Sequence, residues 1–313
     1  MLTVLGEAVV DLAPSGGGDL LAAHPGGSPL NVAVGLARLG RPTAMLARFS
    51  RTAFGRRLRA HADANGVDLS HAAADDRPAT LAVVSLGADG AAGYDFYLDG
   101  TADWQWRRAE LALPPGTEVL HTGSLAVLLP PGADLIADLL ARTYARRGVL
   151  VSLDPNVRPT MLTDPDAARN RLLDLTRHAH LVKASDEDLA WLFPGTRVEE
   201  AAAALGRRGV ELVVVTRGAA GAYARTHAGR HVTCPAEPVT VADTVGAGDA
   251  FTAGLLDALI EIGAAAPGTV GELDEDRLAA ALRHASRIAA ITCARPGADP
   301  PRRADLALST PPR

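Results

Sequence analysis

Length, composition and charge exclude several classes of protein. The chain has 313 residues, 48% of them hydrophobic and 21% charged, which is enough apolar material for a large buried core. Its formal net charge of -5 indicates no basic face for nucleic acid or an anionic membrane, so a small-molecule partner is expected. The start, MLTVLGEAVVDL, lacks the basic and long apolar regions of a secretion signal, which predicts a cytoplasmic protein.

Lysine usage excludes two kinds of phosphate site. Lys183 is the single lysine among 31 basic residues. A Walker A loop needs Gly-Lys-Ser/Thr, but Lys183 stands between Val182 and Ala184, and the HRD and DFG motifs of protein kinases are missing. Any nucleotide phosphate must therefore be held by backbone N–H groups, arginine and metal.

Short apolar runs bounded by Gly, Pro or Asp recur along the chain and predict strands at residues 2–5, 119–120, 149–153, 180–182 and 212–216. Helix-like segments separate them, and this alternation predicts a parallel sheet covered by helices. Between residues 80 and 106 the pattern changes to two alternating strands around a Gly-rich turn. That segment predicts an antiparallel hairpin, which would form a small β flap over the edge of the sheet.

The segment DTVGAGDAFTAGLLDALIEI, residues 243–262, carries the strongest chemical signal. Apolar residues at helical spacing predict a packed helix that begins near Gly248. Gly246 and Gly248 let backbone N–H groups converge at the positive end of that helix, so phosphate oxygens would fit there. Asp249 in the same turn would repel a phosphate, although a base that meets a hydroxyl beside the phosphate needs that position. The alternative is that Asp249 only complements the helix dipole.

Five segments, in order along nearly the whole chain, resemble the ribokinase-like (PfkB) carbohydrate kinase family. They are GGSPLNVAVGLARLG (26–40), DPNVRP (154–159), VTRGAAGA (215–222), DTVGAGDAFTAG (243–254) and AAITCARPGADPP (289–301). The resemblance implies one three-layer α/β/α domain over residues 1–313, with a mostly parallel central sheet. A small β-strand lid is expected from about residues 12–25 and 76–107. Among family members, GEAVVD, FYLDGTADWQW and VKASDEDL look most like bacterial fructokinases.

The resemblance implies an ATP-dependent enzyme that transfers the γ-phosphoryl group to a sugar hydroxyl, with fructose 6-phosphate as the product. Asp249 is then the base, and Gly246, Ala247 and Gly248 form the anion-binding turn. Arg158 is implied to lie beside the transferred phosphoryl group, where a guanidinium stabilises spreading negative charge. A surface ion pair is the alternative for Arg158.

The predicted sugar site adds four residues to Asp249. Asp11 is expected to end the first strand at the carboxyl edge of the sheet, where its implied role is to hold two sugar hydroxyls. A simple turn residue is the alternative. Gly26 and Gly27 let the backbone approach a ligand, and Asn31 offers a donor and an acceptor on an otherwise apolar helix. A backbone cap is the alternative for Asn31.

The resemblance also implies a nucleotide site and two cation sites. The implied nucleotide-binding residues are Lys183, Ser185, Thr216, Arg217, Gly218, Gly221, Gly246 and Gly248, although the glycines alone could serve only the turn. In relatives an Asn-x-x-Glu motif organises Mg²⁺ through water. Here Ser185 and Asp188 stand at those positions, and Glu187 could share the task. Asp243 and Val245, with the loop 289–301, imply a monovalent cation, with K⁺ dependence as the expectation.

The sequence does not determine the sugar substrate or the oligomeric state. Leu98 stands where fructokinases often carry arginine, so a kinase for 2-keto-3-deoxygluconate, ribose or a nucleoside is the alternative. A catalytically silent sugar or nucleotide sensor is the rival from another class. Trp104 and Trp106 either cover the sugar pocket or pack the flap. The expected partners are a sugar, ATP and a second copy bound through the lid.

Overall fold

A computed structural model of the chain describes residues 1–15, 20–86 and 92–308. In these ranges the strands are, in chain order, β1 (Leu2–Leu5), β2 (Val9–Pro14), β3 (Leu21–Gly26), β4 (Thr43–Leu46), β5 (Arg48–Ser50), β6 (Ala73–Asp75), β7 (Leu81–Leu86), β8 (Ala92–Tyr97), β9 (Val119–Gly123), β10 (Leu150–Asp154), β11 (Leu181–Ser185), β12 (Leu212–Thr216), β13 (Ala222–Thr226) and β14 (His231–Cys234). The α-helices are α1 (Ser28–Arg38), α2 (Ala53–Ala64), α3 (Gly132–Ala145), α4 (Pro165–Leu175), α5 (Asp186–Leu192), α6 (Val198–Arg207), α7 (Ala247–Glu261), α8 (Glu275–Cys293) and α9 (Arg303–Leu308).

An eight-stranded sheet forms the centre of the molecule, in the order β14-β13-β12-β11-β10-β9-β1-β4. The strands from β12 to β4 run parallel, while β13 and β14 add an antiparallel edge. The five runs predicted as strands all lie in the parallel part, and their ends differ from the prediction by at most three residues. The sequence did not indicate β4, β13 or β14.

Two apolar cores cover the two faces of this sheet. Successive side chains on a strand point to opposite faces, so Leu150 joins one core while Val151 and Leu153 join the other. Helices α1, α2, α7 and α8 complete the first core, and α3, α4, α5 and α6 complete the second. The predicted three-layer α/β/α architecture is therefore confirmed.

A second sheet of four strands, in the order β3-β2-β7-β8, lies apart from the central one. Strands β7 and β8 form the predicted antiparallel hairpin, and its Gly-rich turn, residues 87–91, lies outside the described residues. The sheet starts at Val9 and includes Gly26, slightly beyond the segment 12–25 that the sequence assigned to the lid. Closure of this sheet as a lid stays a prediction.

Asp11 lies in the middle of β2, in this second sheet. The expectation that Asp11 ends the first strand of the parallel sheet is wrong, because the chain leaves that sheet after Leu5. Gly6 permits the exit: a Cβ on Gly6 would lie 2.3 Å from Cγ of Pro29. Residues 2–10 are buried without interruption, and Gly6 and Glu7 were the local signal of the break between the two strands.

Asp103 ties together the segments that join the two sheets. Its Oδ1 accepts a hydrogen bond from the backbone N–H of Ala8 (3.0 Å), and its Oδ2 accepts one from Oγ1 of Thr80 (2.7 Å). Ala8 lies between β1 and β2, and Thr80 directly precedes β7. Because three joining segments meet at this one carboxylate, it helps to fix the second sheet relative to the core.

Membrane insertion has no candidate segment in the described ranges, since none of their helices has the length and apolarity to span a bilayer.

Candidate functional site

The predicted site residues collect at the carboxyl ends of the parallel strands, where ligands of such sheets bind. Strands β10, β11 and β12 end there at Asp154, Ser185 and Thr216. The N-terminal ends of α1 and α7 carry the two signature segments. Segments that are far apart in the sequence therefore lie together at this edge of the central sheet.

Asp249 is the third residue of α7, which begins one residue earlier than the sequence predicts. Gly246 precedes the helix with a φ of 75°, and a Cβ there would lie 2.5 Å from Cβ of Ala298. Both the left-handed backbone and the close approach require glycine. The turn therefore presents the positive end of a 15-residue helix beside a carboxylate.

Two side chains on α1 hold the carboxylate of Asp249. Oγ of Ser28 donates to Oδ1 at 2.6 Å, and Nδ2 of Asn31 donates to Oδ2 at 2.8 Å. Asn31 is therefore satisfied by Asp249 and not by a backbone cap in this structure. The role of Asn31 in sugar binding stays a prediction.

Asp11 faces this cluster from the second sheet. Burial raises the pKa of Asp11 to about 6, the negative charge of Asp249 adds to the shift, and the positive charge of Arg158 opposes it. Gly26 lies against Asp11, since a Cβ on Gly26 would come within 2.0 Å of Oδ2 of Asp11. Arg158 is exposed and has no ion-pair partner among the described residues, contrary to the surface-pair alternative.

Lys183 lies beneath the anion-binding turn. Its Nζ donates to Oδ2 of Asp154 at 2.9 Å, and both side chains are almost fully buried, with 5% and 2% of their area exposed. A Cβ on Gly248 would lie 3.2 Å from this Nζ. Burial lowers the pKa of Lys183, but the negative charges of Asp154, Asp188 and Asp249 outweigh burial and raise it overall.

A cavity of about 630 Å³ lies on the other side of the same turn. The predicted nucleotide residues Thr216, Gly218, Gly221 and Gly248 line it. Its lining also includes the apolar residues Val239, Val241 and Ala290. The other predicted nucleotide residues, Lys183, Ser185, Arg217 and Gly246, do not belong to its lining.

The first turn of α7 therefore separates the cavity from the carboxylate cluster, which consists of Asp11 and Asp249. Ala247 and Gly248 face the cavity, while the next residue, Asp249, faces Ser28 and Asn31. One helix end can thus contact two different ligands at once.

Asp188 forms a capping box at the start of α5. Its Oδ2 accepts hydrogen bonds from the backbone N–H and Oγ of Ser185, each at 2.8 Å. Its Oδ1 accepts one from the N–H of Val157 at 2.7 Å, which fixes the loop that carries Arg158. Glu187 is exposed. Magnesium binding by Asp188 and Glu187 stays a prediction.

Asp243 joins two loops next to the cavity. Its Oδ1 accepts from the N–H of Val245 at 3.0 Å, and its Oδ2 accepts from the N–H of Gly297 at 2.8 Å. These bonds connect the GAGD loop to the loop 289–301. The monovalent cation site at Asp243 and Val245 stays a prediction.

The two tryptophans pack the interior. Trp104 and Trp106 are 3% and 5% exposed and belong to the second core, so they are packing residues of that core. Leu98 follows β8 and packs against the same core.

The sequence analysis missed three residues at or behind the site, namely Ser28, Asp154 and Asp103. Ser28 looked like an ordinary residue at a helix start, and Asp154 looked like the beginning of a loop motif. Asp103 stands between two apolar residues, Ala102 and Trp104. A charged residue in such a setting was the one available signal, since a buried carboxylate needs partners.

Comparison with known proteins agrees with this geometry. The family model of the pfkB family carbohydrate kinases matches residues 2–305. This chain belongs to the pfkB family of carbohydrate kinases. The resemblance seen in the five segments is thereby confirmed, and so is the expectation of a phosphotransferase.

The relatives of this carbohydrate kinase include fructokinases. It is 38% identical over 282 residues to the fructokinase of Rhizobium leguminosarum bv. trifolii, covering 89% of this chain and 85% of that protein. It resembles the structure of a fructokinase double mutant from Vibrio cholerae O395 bound to fructose, ADP and potassium, with TM-score 0.83, 29% identity and coverage of 95% and 93%. It also resembles the fructokinase from Xylella fastidiosa with bound ATP, with TM-score 0.87, 25% identity and coverage of 95% and 93%.

Proposed function

We propose that this protein is an ATP-dependent fructokinase that converts fructose to fructose 6-phosphate. One observation carries the proposal: the first turn of α7 lies between the cavity and the carboxylate cluster of Asp11 and Asp249. A phosphoryl group held at that turn would lie next to both a nucleotide and a sugar. The fructokinases among the relatives agree with this substrate.

ATP binds in the 630 Å³ cavity. The exposed apolar side chains of Val239 and Val241, with 38% and 57% of their area accessible, offer a surface for the adenine base. Thr216, Gly218 and Gly221 also line this cavity. The phosphates then point to the start of α7, where the helix dipole and backbone N–H groups favour an anion.

The sugar binds between the second sheet and the N-terminal end of α1. Asp11 accepts hydrogen bonds from two sugar hydroxyls, and Asn31 and the backbone at Gly26 and Gly27 contact the ring. Closure of the second sheet over the sugar would exclude water and suppress hydrolysis of ATP. Asp249 lies at the inner end of this space.

Transfer proceeds with Asp249 as general base. Its carboxylate accepts the proton of the attacking hydroxyl, the sugar oxygen bonds to the γ-phosphorus, and the bond to the β–γ bridging oxygen breaks to release ADP. Arg158 and the N-terminal end of α7 stabilise the negative charge that spreads over the phosphoryl oxygens. Positioning and electrostatics carry most of the rate acceleration.

Among the described residues, no group of three or more His, Cys, Asp or Glu side chains could hold a metal ion, so the expected cations would be held mainly by water and by the phosphates of ATP. Mg²⁺ usually keeps several waters and binds through one or two carboxylates plus substrate phosphates, where it neutralises phosphate charge. Oδ1 of Asp188 accepts a single hydrogen bond and keeps a lone pair for a bridging water, and the exposed Glu187 adds a carboxylate. Asp243 supplies oxygen donors for K⁺, the ion bound by the relative from Vibrio cholerae.

A homodimer through the second sheet is part of the proposal. Leu20, Leu21 and Tyr97 lie at the two edge strands β3 and β8 and are 68%, 48% and 62% exposed. Unpaired strand edges with apolar side chains favour association with another chain. Analytical ultracentrifugation would show a dimer, and a monomer at micromolar concentration would contradict it. The cytoplasmic location stays a prediction.

A turnover screen tests the substrate. ADP release is measured with fructose, ribose, 2-keto-3-deoxygluconate, a nucleoside, fructose 1-phosphate and fructose 6-phosphate, with the Asp249→Asn protein as the background control. Free fructose is expected to give at least about tenfold higher kcat/KM than either fructose phosphate. Of the two arginines after the first signature, Arg48 is buried and paired with Asp75 and Glu110, which leaves it unavailable to a phosphate on the sugar, while Arg51 forms an exposed pair with Asp76.

Two outcomes would change the assignment. A tenfold preference for another sugar would keep the kinase but replace the substrate. Binding of fructose and ATP without any turnover would favour the silent sensor.

A further inference from the structure

The base Asp249 is held through both of its carboxylate oxygens. Ser28 and Asn31 lie three residues apart on α1, so their side chains share one face of the helix. Ser28 contacts Oδ1 and Asn31 contacts Oδ2. Two donors on different oxygens fix the rotation of a carboxylate about its χ2 angle, which one donor cannot do. The sugar-side helix therefore sets the orientation of the base on α7.

Ser28 does not serve the helix on which it lies. The N-cap of α1 is Gly27, and no side chain caps this end. Among the described residues, the Ser28 hydroxyl forms its hydrogen bond with Asp249. A serine at the N-cap position bonds to backbone N–H groups of the first turn, but Ser28 lies one residue after the N-cap. Here the hydroxyl instead contacts a residue 221 positions away.

Asp249 lies among other charged groups. Burial raises the pKa of Asp11 on β2 and of Asp154 on β10, and the negative charge of Asp249 adds to each shift, so both carboxylates lie close to it. Lys183 on β11 attracts Asp249 from beneath the turn. Asp154 is hydrogen-bonded to Lys183, so its repulsion of Asp249 opposes the attraction by Lys183. The two hydrogen bonds from α1 therefore define the orientation of the Asp249 carboxylate.

We infer that Ser28 is a positioning residue for phosphoryl transfer, whose hydroxyl holds Oδ1 of Asp249 in the orientation that receives the proton of the sugar. The inference rests on the proposed role of Asp249 as base. Each carboxylate oxygen has two lone pairs, so Oδ1 and Oδ2 can each still accept a hydrogen bond from substrate. Ser28 acts through Asp249, and its loss should therefore lower kcat more than sugar affinity.

The test compares Ser28→Ala and Ser28→Thr in the wild-type and Asp249→Asn backgrounds. Loss of a hydrogen bond to a charged group predicts a fall in kcat of about tenfold to a hundredfold for Ser28→Ala. The KM values for sugar and ATP should stay within about threefold. Ser28→Thr keeps the donor and should recover most of the loss. In the Asp249→Asn background, Ser28→Ala should change the residual kcat by less than about twofold, because the base is already absent.

Thr143→Val is the matched control. The hydroxyl of Thr143 donates to the carbonyl of Leu139 within α3, on the opposite face of the sheet, so kcat should be unchanged. Melting curves of Ser28→Ala should agree with wild type to within about 2 °C.

Three results would overturn the inference: a kcat within twofold of wild type for Ser28→Ala, an equal loss in both backgrounds, or a rise in sugar KM at constant kcat. The last result would make Ser28 a sugar ligand. Failure of the proposed function looks different, since then wild type would not turn over fructose, or Asp249→Asn would keep more than about a tenth of its activity.

Discussion

Replacing Lys183 with methionine is expected to lower the free energy of unfolding by about 3–5 kcal/mol, because it leaves a buried carboxylate without its cation. Only 2% of the Asp154 side chain is exposed. Oδ1 of Asp154 is buried and has no hydrogen-bond partner among the described residues. After the substitution, Oδ2 would keep a single contact, with Oγ1 of Thr252 at 3.5 Å. Methionine fills most of the volume of lysine, so lost electrostatics and not a cavity would dominate.

The loss of stability caused by Lys183→Met should increase with pH. Burial already raises the pKa of Asp154 to about 6, and Lys183 opposes that shift. Without Lys183 the pKa rises further, so the folded variant binds the proton more tightly than the unfolded chain. The Lys183→Met variant therefore loses little stability near pH 4, close to the pKa of Asp154 in the unfolded chain. The loss grows as the pH increases through the pKa of Asp154 in the folded protein.

Both effects are measured by urea unfolding, with circular dichroism as the readout. Lys183→Met and wild type are compared at pH 5 and pH 8. The double variant Lys183→Met/Asp154→Asn should recover much of the stability at pH 8, since the amide carries no charge. Arg51→Met is the control for an exposed pair: Arg51 and Asp76 are 60% and 86% exposed, so the expected cost is below about 1 kcal/mol. The reasoning is refuted if Lys183→Met costs no more than Arg51→Met at pH 8.

Three further predictions concern catalysis and the sugar site. Asp249→Asn should lower kcat by several orders of magnitude, because the amide keeps the shape of the carboxylate but takes no proton. Sugar affinity should stay within about tenfold of wild type. Retention of a tenth of the activity would show that Asp249 is not the base. Gly26→Ala should displace the Asp11 carboxylate, because the new Cβ would approach it to 2.0 Å. The KM for the sugar should therefore rise with little change in melting temperature. An unchanged KM would contradict a sugar contact by Asp11. Because the pKa of Asp11 is raised to about 6, sugar affinity measured by calorimetry should fall as the pH drops below about 6, and Asp11→Asn should abolish this dependence. A wild-type affinity that is flat from pH 5 to pH 8 would show that the charge on Asp11 is not needed.

The sequence by itself determined the architecture and the anion-binding turn. Apolar runs and helical periodicity are local properties, since a buried parallel strand or a packed helix needs apolar residues at fixed spacing whatever its neighbours are. For the same reason, Gly246 and Gly248 indicated a turn that approaches a ligand, and five ordered segments indicated the family.

The tertiary structure alone decided the environment of the base and of the sugar. The contacts of Asp249 with Ser28 and Asn31 span 221 and 218 positions, and no local pattern encodes which side chains meet across such distances. Asp11 was assigned to the wrong sheet because the apolar residues of β1 resume directly after Gly6 and Glu7, at the buried start of β2. Lys183 could be excluded from a P-loop by its neighbours in sequence, but its place beneath Gly248 follows from the pairing of β10 with β11 and from the packing of α7 over their ends. Hydrophobic burial drives these elements together without regard to polar partners, so which buried charges meet is settled only when the layers pack.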